Sequence, residues 1–163
     1  MEPQKILDGV RAALSAITAP RYFESERGFQ GALQSELDKV FAQAGLPPGA
    51  IIEQEYQKKL MSHGLTIRPD IIIHTPFELG LTADRRDGNH AVIELKRRAR
   101  PDAARDDFNS LLAMLGILEY PLGIFVNIDS EEPFQHLVPA EAAGRIVCFA
   151  LWREAGKTRL KMG

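Results

Sequence analysis

Apolar residues recur at three- and four-residue steps over the first part of the chain. Ile6, Leu7, Val10, Leu14 and Ile17 predict a helix over 4–18, closed by Pro20. Phe29, Leu33, Leu37, Val40 and Phe41 form the stripe of a second helix over 25–44, with Ser25 as N-cap and Gly45 as stop. After the turn Leu46-Pro47-Pro48-Gly49 the pattern changes to that of strands. Residues 51–59 alternate loosely, and 65–74 contain the run Ile71-Ile72-Ile73. A polar loop over 75–89, holding Pro76, Gly80 and Gly88, leads to a third strand over 91–96. Pro101 opens a third helix whose apolar face is Phe108, Leu111, Leu112, Leu115 and Leu118, and Pro121 stops it. Residues 122–128 form a strongly apolar fourth strand. A mixed connection with a short helix near 140–143 follows, then a hairpin of 145–153 and 158–161 around Ala155-Gly156-Lys157.

Three successive strands, a helix and another strand predict an α/β fold, a mixed central β-sheet flanked by helices. The 163 residues suit one domain over 1–163, and 45% hydrophobic with 26% charged residues is ordinary globular composition. No apolar run has the length a membrane helix needs, and the polar start Met1-Glu2-Pro3-Gln4-Lys5 is unlike a signal peptide. The single cysteine, Cys148, lies in the apolar run Val147-Cys148-Phe149-Ala150-Leu151 and reads as core, which fits a reducing, cytoplasmic setting. The net charge of -2 is unlike a nucleic-acid binder, yet the stretch 85–105 holds seven cations against three anions. Such a patch suits phosphates, or is simply a solvated charged face.

Chemistry concentrates at two places. Asp70, in Arg68-Pro69-Asp70, borders the isoleucine run, where an acid is costly unless paired. In Glu94-Leu95-Lys96 on the next strand, Glu94 and Lys96 share a face because strand side chains alternate. If the two strands are neighbours, two carboxylates and an ammonium converge. Adjacent carboxylates repel, and a hard divalent cation with oxygen ligands relieves them. The backbone carbonyl of Leu95 is a further possible ligand.

The string Arg68-Pro69-Asp70 followed by Glu94-Leu95-Lys96, with helix, three strands, helix and strand around it, resembles the PD-(D/E)xK nuclease superfamily. The resemblance spans residues 22–128. It implies a restriction-endonuclease-like αβββαβ core, with the N-terminal helix and C-terminal hairpin as additions. It implies Mg²⁺-dependent hydrolysis of phosphodiester bonds, with Mn²⁺ as a substitute, Asp70 and Glu94 as metal ligands and Lys96 as the catalytic lysine. An acid of the first core helix often joins such sites. Glu26 is preferred, because the run Glu26-Arg27-Gly28-Phe29-Gln30 resembles the superfamily's pattern, and Glu36 is the reserve.

Other polar residues invite structural readings. Glu53, Gln54 and Glu55 belong to a half-exposed strand, His74 to a strand end, and His63 to a turn. Asp106 and Asp107 read as helix-start acids, and Asn127 and Asp129 end the fourth strand, where they could approach the site. Trp152 reads as core or interface. P-loop, paired-cysteine, zinc and dinucleotide motifs are absent. The expected function is a DNA endonuclease whose Arg97, Arg98 and Arg100 hold the phosphate backbone, acting as a homodimer to cut both strands or in a larger complex that supplies target specificity. The competing function is a non-catalytic nucleic-acid or protein-binding module on the same fold.

Overall fold

The computed structural model describes residues 3–54, 67–76 and 86–163. Two helices, α1 (Pro3–Ala16) and α2 (Glu26–Ala44), are joined through a 3-10 turn at Pro20–Phe23. Ser25 caps α2 by accepting the Gly28 N–H at 3.0 Å, and Gly45, at a φ of +80° that favours glycine, ends it. Strands β1 (Ile51–Gln54), β2 (Ile71–His74) and β3 (Asn89–Arg97) follow. Helix α3 (Pro101–Ile117) leads to β4 (Gly123–Ile128), and β5 (Ile146–Glu154) and β6 (Lys157–Met162) close the chain. The expected short helix near 140–143 is only a 3-10 turn at Ala140–Ala142. The predicted strand residues 55–59 and 65–66, with Glu55, His63 and loop residues 77–85, lie outside the described residues.

The six strands form one sheet in chain order. β1, β2 and β3 are antiparallel, β4 and β5 run parallel to β3, and β6 returns antiparallel. The sheet is therefore mixed and flanked by helices, and α2-β1-β2-β3-α3-β4 is the αβββαβ order. Parallel neighbours need a crossover, which α3 supplies between β3 and β4.

Alternation along the strands divides the core into two. Ile71, Ile73, Ile93, Leu95 and Val126 face α1 and α2. Ile72, Val92, Phe125 and Cys148 face α3, which presents Ala104, Phe108, Leu111 and Leu115. Phe108 meets Phe125 edge to face, with ring centroids 5.0 Å apart. Burying a ring of this size stabilises by about 1.5–3 kcal/mol, so this contact fixes α3 over β3 and β4. Cys148 is buried core as expected, and burial pushes its thiol up to about 12. Among the described residues, no helix is long and apolar enough to cross a membrane.

Candidate active site

The site forms where β2 begins and β3 ends. The β2–β3 register pairs Ile71 with Ile93, so Asp70 falls opposite Glu94. Both share strand parity with Ile72 and Val92, which places them on the α3 face with Lys96. Two anchors fix Asp70. Its Oδ2 accepts the Leu95 N–H at 2.7 Å, and its main-chain oxygen accepts from Nε2 of the buried Gln30 at 2.8 Å. Gln30 thus ties α2 to the strand that carries the acid. The three motif residues are brought together as the strand pattern requires.

The electrostatics are those of crowded acids. Glu94 is 8% exposed. Burial lifts its carboxyl well above the usual range, and the charges of Asp70 and Asp107 add to this. Asp70 is also raised by burial, against the lowering effect of the Leu95 N–H and of its hydrogen bond with Glu94. Burial works against the ammonium of Lys96, but four acids outweigh it and raise its pKa: Asp107, Glu26, Asp70 and Glu94.

Asp107, a helix-start acid in the sequence reading, is also turned toward the site. It stands in the second turn of α3, with Oδ2 3.7 Å from Lys96 Nζ. Burial raises it to about 6, with Lys96 opposing and Asp70 and Glu26 reinforcing the rise. Its signal was present in the helix pattern. Ala104, Phe108, Leu111 and Leu115 define the buried stripe, and position 107 belongs to that stripe by its spacing of three and four from 104 and 111.

Glu26, the preferred helix acid, opens α2 and accepts the Arg97 N–H with Oε2 at 2.9 Å. It lies close enough to act electrostatically on Asp70, Lys96 and Asp107. Glu36, the reserve, pairs with Lys39 at 2.7 Å and lines a pocket with Ile17 and Tyr22 instead. Glu53 Oε2 accepts from His74 Nε2 at 2.6 Å, so both serve the β1–β2 pair. Asn127 is fully buried. It accepts the Ala99 N–H at 2.9 Å and donates to the Glu132 carbonyl at 2.8 Å, which holds the loop after Lys96. Trp152 is half-buried on β5.

The three arginines divide. Arg97 donates through Nε to the Phe23 carbonyl at 2.8 Å and through Nη2 to Asp129 Oδ2 at 3.0 Å. Arg98 Nε reaches the same Asp129 oxygen at 2.7 Å. Asp129 follows the last residue of β4, and its carboxylate approaches the basic patch. It offsets two of the three predicted phosphate-binding cations, because the parallel β3–β4 register brings both strand ends together. Arg100 is exposed and, with Lys96, Arg98 and Ala103, lines a cleft of about 500 Å³ beside the acids.

The donor chemistry fits a hard divalent cation. Among the described residues, no group of three or more histidine, cysteine or acidic side chains is arranged to hold a metal. Mg²⁺, however, commonly takes one or two carboxylates and keeps several waters, so Asp70 and Glu94 suffice in kind. Asp107, whose buried Oδ2 has no hydrogen-bond partner among the described residues, adds a further acid beside the pair.

No family model and no curated protein matches the chain. A solved structure of Pyrococcus furiosus SfsA in complex with Ca²⁺ is similar at 15% identity and a TM-score of 0.38, covering 81% of this chain. This chain spans 63% of the length of that one.

Proposed function

We propose that this chain is a divalent-metal-dependent nuclease that hydrolyses phosphodiester bonds of DNA, on the PD-(D/E)xK plan that its motif resembles. The carrying observation is the buried Asp70–Glu94 pair on adjacent strands, with the Lys96 ammonium on the same face. Asp70, Glu94 and the Leu95 carbonyl are the groups that hold Mg²⁺ or Mn²⁺, with Glu26 at the edge of the site. When bound, such a cation polarises a phosphoryl oxygen and lowers the pKa of coordinated water. Lys96 keeps its proton among four acids, which suits it to neutralise charge developing on a non-bridging phosphate oxygen as water displaces the bridging oxygen. Arg100 and the cleft beside it suit a neighbouring phosphate, so binding weakens with salt. Cutting a duplex through takes two such sites, which a homodimer supplies.

Purified protein incubated with supercoiled, linear, nicked and branched DNA and with RNA tests the proposal. Mg²⁺- or Mn²⁺-dependent cleavage abolished by EDTA supports it. A second reading, a binding module without cleavage, is favoured by Asp129, which offsets Arg97 and Arg98, and by the net charge of -2. Retention of DNA with no cleavage under either metal selects that reading.

A further inference from the structure

An acid standing in a helix's buried stripe, over a lysine from the sheet below, is an expensive arrangement unless it holds something in place. Asp107 occupies such a position. The packing of Phe108 on Phe125 and the burial of Ala104 fix the helix turn that carries it. Its side chain is 17% exposed, and Oδ2 is buried with no hydrogen-bond partner among the described residues. The nearest cation is Lys96 Nζ, 3.7 Å away, whose own side chain is 34% exposed. A lysine has a long flexible stem and three rotatable donors, so a half-exposed one does not hold a single position unaided. Asp70 and Glu94 lie on the sheet below it, and Asp107 reaches it from the helix above.

We infer that Asp107 is a positioning residue that tethers the Lys96 ammonium from the α3 side and keeps it aimed over the Asp70–Glu94 pair. The role rests on the nuclease reading, since Lys96 is what it positions. Asp107 also exerts the largest stabilising influence on the charged lysine among the four surrounding acids. Without it the stem is free to swing toward the open cleft lined by Arg98 and Arg100. The tether leaves the metal-holding carboxylates untouched, so it acts on turnover and not on cation affinity.

A double-mutant cycle separates the tether from the nuclease reading. Thermal midpoints of wild type, Asp107→Asn, Lys96→Met and the double variant are measured in metal-free buffer, where no activity is needed. A tether predicts coupling: Asp107→Asn raises Tm by about 2 °C or more beyond its wild-type effect when Lys96 is already methionine. Midpoints that add overturn the tether. With metal, Asp107→Asn lowers kcat by roughly 10- to 100-fold with KM for DNA unchanged, and Asp107→Glu, which keeps the charge, recovers most of the loss. Calorimetry then shows Mg²⁺ affinity within about twofold of wild type. A loss of affinity of about tenfold or more makes Asp107 a cation ligand and overturns the positioning role. Wild type that cuts nothing overturns the nuclease reading and the role in turnover, while the Tm cycle still decides whether Asp107 holds Lys96.

Discussion

Replacing Glu94 by glutamine should make the metal-free protein more stable and destroy its activity. The Glu94 carboxyl is 8% exposed, hydrogen-bonded to Asp70 and repelled by Asp70 and Asp107. Folding therefore either desolvates an anion among like charges or takes up a proton to avoid it. Glutamine has the same shape, and its N–H donates to Asp70 as the protonated acid does, without either cost. The gain should be about 1–2 kcal/mol, or about 2–8 °C in Tm for a domain of this size. The pH dependence carries a second signature. Asp70, Glu94 and Asp107 all have folded carboxyls raised above the ordinary values of 3.8, 4.5 and 3.8. The folded chain thus binds these protons more tightly than the unfolded chain. Their contribution to stability is fully present below about pH 4 and is lost as pH rises through their folded values, which for Asp107 is about 6. For Asp107 alone the loss is about 1–2 kcal/mol after solvent screening. Scanning calorimetry in EDTA from mildly acidic to neutral pH should show wild type losing stability and Glu94→Gln losing less. A Glu94→Gln variant that melts below wild type at neutral pH would refute the reasoning.

Mg²⁺ should raise the Tm of wild type more at neutral than at mildly acidic pH, because protons compete for the same oxygens; differential scanning fluorimetry measures this. Asn127→Ala strands the Ala99 N–H and the Glu132 carbonyl and should cost about 2–3 kcal/mol by urea denaturation. Arg97→Ala should lower Tm because it strands the Phe23 carbonyl and leaves Asp129 with Arg98, whereas Arg100→Ala should leave Tm unchanged and reduce the salt dependence of DNA binding.

The three motif residues were legible because strand parity is a local rule. Glu94 and Lys96 share a face in any β-strand, and the isoleucine run after Asp70 marks its neighbour. Ser25, Gly45 and Pro101 likewise placed the helix boundaries by turn and cap chemistry. Pairings across the fold were less accessible. Asp129 meets Arg97 and Arg98 only because β4 lies parallel to β3, a register no local pattern specifies. Gln30 reaches the Asp70 carbonyl across 40 residues of chain. Asp107 lay between these cases. Its stripe position was readable from helical spacing, but an acid near a helix start is accounted for by the helix itself, and only the docking of α3 reveals the lysine beneath it.

The most direct test pairs metal binding with cleavage in two variants. The account predicts that Asp70→Ala loses both Mg²⁺ binding by calorimetry and plasmid cleavage, while Lys96→Ala still binds Mg²⁺ but cuts no plasmid. Wild-type cleavage that survives in either variant would contradict it.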